Sequence, residues 1–212
     1  MKLYTYAGAP NPRRVHLYLA EKGLEIPSEK VDIMARANRD PTFLEKVNKL
    51  GGIPVLELDD GSHLAESVAI CRYLEALHPE PPLFGTTAEE IGRIEMWSRR
   101  IELNLMRPVG MAGVHGSPFT KAVMPNQIAE VAEQSRGQAR GFQRFLDDAL
   151  ANADYIAGNE FTIADILALT TVDFAAGLVE IPIESELEHL MAWHERVSAR
   201  PSAKEHPAVS LG

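Results

Sequence analysis

Two short stretches carry residue types that could hold a small ligand: Gly52-Ile53-Pro54-Val55-Leu56 and, about 12 residues further on, Glu66-Ser67. Pro54 lacks an N–H and is tolerated in a sheet only at a start, an edge or a bulge. It also holds the preceding Ile53 extended, so that the N–H and C=O of Ile53 are free to pair with a peptide-like ligand. Glu66-Ser67 falls where a helix should begin. The Ser67 hydroxyl and the first helical amides there suit a ligand carboxylate, and Glu66 suits a ligand ammonium. A backbone pair beside a carboxylate-and-amine clamp describes a site for an amino acid or a short peptide. The competing reading is structural, because Pro54 and Ser67 also have jobs in a turn and a helix start.

The chain as a whole narrows the choices. Its 212 residues allow one large domain or two small ones. Lys plus Arg is 21 against 30 Asp plus Glu, a formal net charge of −9, which argues against nucleic acid and anionic lipid as partners. Cys71 is the only cysteine, so an intrachain disulfide, a Cys-x-x-Cys pair and a thiolate zinc site are excluded. His189 and His194 miss the i, i+4 spacing of a shared metal, and none is expected. The opening MKLYTYAGAP lacks the apolar core of a secretory signal, and no window approaches the roughly 18 apolar residues of a membrane span. A soluble, cytoplasmic protein is expected, with neither membrane nor nucleic acid as partner.

The elements that must position the candidate site alternate in type. Lys2–Tyr6 reads as a strand, Arg13–Lys22 as a helix capped by Gly23, and Val31–Met34 as a second strand. Pro41–Val47 is a short helix. Ile53–Leu58 and Ser62–Ala65 form a hairpin across Asp59-Asp60-Gly61, and Glu66–Leu77 carries a helical apolar stripe. A mixed α/β domain follows for residues 1–78. Prolines 79, 81 and 82 make 79–88 a stiff linker, and 89–212 reads as helical throughout. There Ile94, Trp97, Ile101 and Leu105 recur on one face until Pro108, and Phe142, Phe145, Leu146, Ala149 and Leu150 follow the helical template. Thr162-Ile-Ala-Asp165 is a capping-box pattern, and Leu187–Ala199 makes a last amphipathic helix stopped by Pro201.

Four of these segments together resemble the cytosolic glutathione transferase family, over essentially the whole chain. Gly52-Ile-Pro-Val-Leu56 resembles its cis-proline segment, and Glu66-Ser67 with Ala69-Ile70 and Tyr73-Leu74 resembles its γ-glutamyl-binding helix. Phe161-Thr-Ile-Ala-Asp165 resembles its C-domain capping box, and Trp193-x-x-Arg196-x-x-x-Arg200-Pro201 its closing pattern. The resemblance implies an α/β thioredoxin-like N-terminal domain, an all-α C-terminal domain and a homodimer. It implies a cis Pro54 and glutathione as co-substrate, with no tightly bound cofactor. The glutathione thiolate would be conjugated to hydrophobic electrophiles.

The sequence departs from the family where the thiol should be activated. A hydroxyl near the end of the first strand normally favours the thiolate. The serine position is Ala9 here, and the tyrosine position is Thr5, with Tyr6 beside it. Ala9-Pro10-Asn11 resembles the Thr-Pro-Asn loop of the bacterial nu-class enzymes, whose Asn lies beside glutathione. Tyr6, Thr5 and Asn11 are therefore the candidate thiol partners, as are amides at the helix start. Against these stand an aromatic packed on the sheet for Tyr6 and an N-cap for Asn11. Gly52 replaces the Lys or Gln that often reaches the glycine carboxylate, which leaves Asn38 and Arg39 as substitutes, or Arg39 as a merely solvated charge. The second substrate is expected in the cleft between domains, against Met106, Met111, Val114, His115 and Phe119, with Leu105 and Val109 as core. Cys71 reads as an inert core residue. Two alternatives remain at this point: a glutathione-dependent disulfide reductase, and a non-catalytic binding protein of the same fold, favoured by Ala9 and Gly52.

Overall fold

A computed structural model describes residues 1–121 and 124–208, the side chain of Phe119 excepted. The chain forms two compact units, the first made of Met1–Leu83 with Glu205–Pro207, the second built on Phe84–Lys204. No helix among the described residues is long and apolar enough to cross a membrane.

The first unit runs β1 (Lys2–Thr5), α1 (Pro10–Lys22), β2 (Ser28–Lys30), α2 (Pro41–Lys46), β3 (Val55–Glu57), β4 (His63–Ala65) and α3 (Ser67–Leu77). The strands lie in the order β2-β1-β3-β4, with β1 and β2 parallel and the other pairs antiparallel. Strand alternation sends Tyr4 to the side of Val31, Phe43 and Val55, while Leu3 and Thr5 are buried on the opposite parity. Gly23 takes the left-handed conformation that ends α1 (φ 62°). Asp59-Asp60-Gly61 closes the β3–β4 hairpin. The second strand is Ser28–Lys30, not Val31–Met34: it is a fully exposed edge of Ser, Glu and Lys, so no hydrophobic alternation marks it. Residues 33–34 instead turn, held by the Asp32 carboxylate accepting from the amides of Met34 and Ala35.

Lys22, at the end of α1, is wholly buried at its side chain. It pairs with Glu75 at 2.6 Å and donates to the carbonyls of His78, at 2.8 Å, Pro79 and Pro81. Tyr18 donates to the same Glu75 carboxylate at 2.5 Å, and burial pushes its phenol far up. One ammonium thus satisfies the carbonyls beyond α3, where the following prolines offer no amides.

The second unit consists of α4 (Ala88–Ile101), α5 (Arg107–Gly116), α6 (Ala129–Leu150), α7 (Ile163–Leu178), α8 (Glu188–Ser198) and α9 (Pro201–Glu205). Helix α4 does not end at Pro108. A π-turn over Glu102–Met106 absorbs the missing proline N–H, with Arg107 N–H donating to Glu102 C=O, and α5 carries on. The stretch from Met106 to Gly116, expected to line the second substrate, is therefore helical, and two of its glycines, Gly113 and Gly116, serve close approach. A Cβ on Gly116 would stand 3.2 Å from the Ala132 Cβ of α6, and one on Gly113 3.4 Å from Val179. In α6 the buried face is Ala139, Gln143, Leu146 and Leu150; Phe145 is instead exposed, tilted against Trp97 and Phe142 with Arg100 over its ring. The apolar template on that helix joins a core face to an outer aromatic face.

Helix α4 starts on a reciprocal cap. Thr87 Oγ1 accepts from Glu90 N–H, and the Glu90 carboxylate accepts from the amides of Thr86 and Thr87 and the Thr86 hydroxyl. Those donors hold the Glu90 pKa down at about 2 against an ordinary 4.5. A depressed folded-state pKa gives stability that is full above 4.5 and lost as pH falls toward 2. The stability gap between wild type and Glu90→Gln, read from urea midpoints, is accordingly expected to be constant from neutral pH down to about 5 and to close below it.

Candidate functional site

The candidate residues of the first unit are built on three chain reversals. At the first, β1 ends at Thr5, the chain turns through Gly8 (φ 86°), and Ala9 is the N-cap of α1, with no side-chain cap. Asn11 is thus not the cap. Pro10 and Pro12 remove two amides from the first turn, and Arg13 N–H is bound to Ala9 C=O. The helix start read as a possible source of amide donors offers the Asn11 N–H there. Thr5 is buried with its hydroxyl hydrogen-bonded to His16 Nε2 at 2.8 Å, so it is committed away from a ligand. The Tyr6 ring lies beneath the Lys30 ammonium, 5.5 Å from its centroid.

At the second reversal, Gly51 turns left-handed (φ 66°) in a place with no room for a side chain: a Cβ would meet Asn38 O and Arg39 Nη1 at 2.8 Å. Asn38 Nδ2 donates to Gly51 C=O at 2.8 Å, Arg39 to Leu50 C=O at 3.1 Å, and Asn48 Nδ2 to Gly52 C=O at 2.9 Å. Asn38 and Arg39 therefore brace the loop, which gives Arg39 a structural partner rather than a purely solvated charge. Gly52 is exposed, and the Cβ it lacks would find open space apart from Asn48 Nδ2 at 3.5 Å. The Ile53–Pro54 peptide bond is cis, and the β3 ladder begins only at Val55, leaving the Ile53 backbone outside it.

At the third, Glu66 has φ 70° and ψ 114°, a conformation that costs a non-glycine residue roughly 1–3 kcal/mol. Its carboxylate is exposed and does not cap α3. The first helical hydrogen bond runs from Ile70 N–H to Glu66 C=O, so the amides of Ser67, Val68 and Ala69 lie at the open start of α3. An exposed carboxylate held in a strained backbone beside unfilled amides is an arrangement for a zwitterionic ligand end. Cys71, one turn on, is fully buried, and burial pushes its thiol far up, so it is not a nucleophile.

Arg14 ties the first reversal to the third. It is 1% exposed, and its Nη1 donates to Asn11 Oδ1 at 3.1 Å and to Ser67 Oγ at 2.8 Å. Sequence reasoning passed over it; the available signal was its i, i+3 spacing from Asn11 on a face shared with buried Tyr18.

The residues proposed for an apolar substrate belong to the second unit. Leu105 and Val109 are core, as expected. Met106, Val114 and His115 are half-buried and Met111 is exposed. The side chain of Phe119 lies outside the described residues. His115 is held rather than loose: its Nδ1 accepts from Ile128 N–H at 3.2 Å, which leaves the proton on Nε2.

This architecture and these motifs have clear relatives. Residues 3–82 match the glutathione S-transferase N-terminal domain family and residues 111–201 the corresponding C-terminal domain family. The chain is 36% identical over 208 residues to glutathione S-transferase 2 of Saccharomyces cerevisiae, covering 97% of this chain and 88% of that one. It is 30% identical to glutathione S-transferase GstA of Escherichia coli O157:H7, over 97% and 96% of the two chains. The crystal structure of Gtt2 from Saccharomyces cerevisiae superposes with a TM-score of 0.92 at 36% identity, covering 98% of this chain and all of that one. The chain belongs to the glutathione S-transferase family, with the thioredoxin-like N-terminal domain and helical C-terminal domain of that fold.

Proposed function

We propose that the protein conjugates glutathione to hydrophobic electrophiles, using Asn11 in place of the family's usual hydroxyl. Ile53 would pair with the cysteinyl backbone of glutathione, Glu66 would accept from its ammonium, and Ser67 with the first amides of α3 would hold its γ-glutamyl carboxylate. The thiol proton leaves to solvent, and the thiolate sulfur forms a bond to the electrophilic carbon, either expelling its leaving group to solvent as an anion or adding across a polarised double bond whose electron pair then takes a proton from solvent. The observation that carries the assignment is the state of the first turn of α1. Thr5 is committed to His16 and two amides are replaced by prolines, while the Asn11 carboxamide accepts from Arg14 and its Nδ2 donates to no described residue. A neutral amide donor can stabilise a thiolate without itself ionising.

Met106, Met111, Val114 and His115 on and beside α5 are offered as contacts for the electrophile. The exposed ring of Phe145, packed on buried Trp97 and beneath Arg100, is offered as part of the homodimer surface, since aromatics and arginine are enriched at such interfaces. Titration with reduced glutathione in two buffers of different ionisation enthalpy tests the reading. Binding with proton release near neutral pH is expected, the release being lost in Asn11→Ala and kept in Tyr6→Phe. No binding at millimolar glutathione would remove the transferase assignment and leave a non-catalytic relative.

A further inference from the structure

Histidine gains a positive charge just below neutral pH, so two stacked histidine rings are at ease only while one of them is uncharged. The first unit contains such a pair. His16 of α1 stacks on His206, with ring centroids 5.3 Å apart and planes 30° from parallel. His206 sits in Glu205–Pro207, the short segment that rejoins the first unit after the helices of the second. A second contact anchors the same residue through its backbone: Arg13 Nε donates to His206 C=O at 2.7 Å. His206 is half-buried there, while Glu205 and Pro207 on either side are exposed.

The groups around the stack come from three elements. Helix α1 contributes the Arg13 guanidinium, 5% exposed and charged at every relevant pH. Strand β1 contributes the Thr5 hydroxyl, 2.8 Å from His16 Nε2, which can donate to a neutral ring or accept from a charged one. The segment and the helix before it contribute Glu205 and Lys204, both exposed. Among the described residues the histidines paired with carboxylates are His63 and His194, so neither stacked ring has an anion against it. Burial, and then the neighbouring His206, hold the His16 pKa below its ordinary 6.5. A docked segment that disfavours the proton is itself disfavoured by the proton. Docking is therefore full above 6.5 and weakens as the pH falls below it.

We infer that Glu205–Pro207 is an acid-released latch, held on α1 by a stack of uncharged imidazoles and driven off when both rings take up protons beside the fixed charge of Arg13. Thr5 tolerates either state of His16, so the sensor is the stack and not the threonine bond. The latch needs no ligand and is independent of the glutathione reading.

The test is the backbone order parameter of the Glu205 and His206 amides, from nitrogen-15 relaxation of the full chain at about pH 7.5 and about pH 5.5. At the higher pH both amides are expected near 0.85, the value of rigid backbone, and at the lower pH below about 0.6. The amides of α1 serve as the reference and are expected to stay rigid at both. His206→Phe keeps a ring to stack but cannot take up a proton, so its segment is expected to remain ordered in acid. His16→Phe makes the same comparison from α1, so the outcome does not hang on one variant folding. A wild-type segment that is equally ordered at both pH values would overturn the inference. So would release in acid from either folded variant, since the stack would then not be the sensor.

Discussion

Asp165→Ala is expected to lower the free energy of unfolding by about 4 kcal/mol, read as a fall in the urea midpoint with Trp193 fluorescence as probe. Asp165 is fully buried at the start of α7, and its two oxygens collect four donors. These are the amides of Ile156 at 3.0 Å and Thr162 at 2.9 Å, the Thr162 hydroxyl at 3.2 Å, and the Trp193 indole of α8 at 2.9 Å. Alanine leaves the Ile156 amide and the Trp193 indole buried without an acceptor, each costing on the order of 1–3 kcal/mol, and it removes one half of the α7 cap. Burial pushes the carboxyl above its ordinary range while the four donors pull the other way. Asp165→Asn keeps one oxygen but turns an NH2 toward existing donors. Its loss is expected to fall between wild type and alanine, and a loss below about 1 kcal/mol in Asp165→Ala would contradict the account.

Glu66→Gly is expected to move stability and binding in opposite directions. Glycine adopts φ 70° without the steric cost that glutamate bears there and is tolerated at a helix N-cap, so unfolding should become harder by about 1 kcal/mol. The same change deletes the carboxylate proposed to accept from the ligand ammonium, and glutathione affinity should fall tenfold or more, as befits a charge-assisted hydrogen bond. Glu66→Gln separates the two effects, because it keeps the backbone strain and loses the charge: weaker binding at unchanged stability. If Glu66→Gly stabilises the protein and binds glutathione as wild type does, the strain exists but the carboxylate is not a ligand contact.

The residues that announced the fold were those whose local chemistry admits one geometry. Gly23 as a left-handed cap, Asp59-Asp60-Gly61 as a hairpin turn and Thr162 with Asp165 as a reciprocal cap all need few partners to act, and each could be read from its neighbours in sequence. What escaped depended on partners distant in sequence or on faces that look alike. Ser28–Lys30 is a strand because β1 pairs with it, and its own residues say nothing of it. Phe145 stands three residues after Phe142 as Leu146 and Leu150 stand four and eight, yet periodicity cannot distinguish an apolar residue of the core from one on the outer face. In the candidate site, the free backbone of Ile53 and the helix start at Glu66-Ser67 are legible because backbone freedom and a helix start are sequence-local properties. Arg14 was not, because an arginine reads as surface until both of its acceptors, one of them 53 residues away, are seen to enclose it.

Lys22 carries a consequence for how the first unit is assembled. The carbonyls it satisfies lie 56 to 59 residues downstream, at the exit of α3. No amide of the intervening prolines can stand in for it, so the end of α3 stays unfinished until the first helix has docked beside it. Closure over so long a separation is slow, because the chain entropy of the loop is lost before the contact returns anything. The ammonium of Lys22 therefore acts as a late fastener, making completion of the last helix of the unit conditional on arrival of the first.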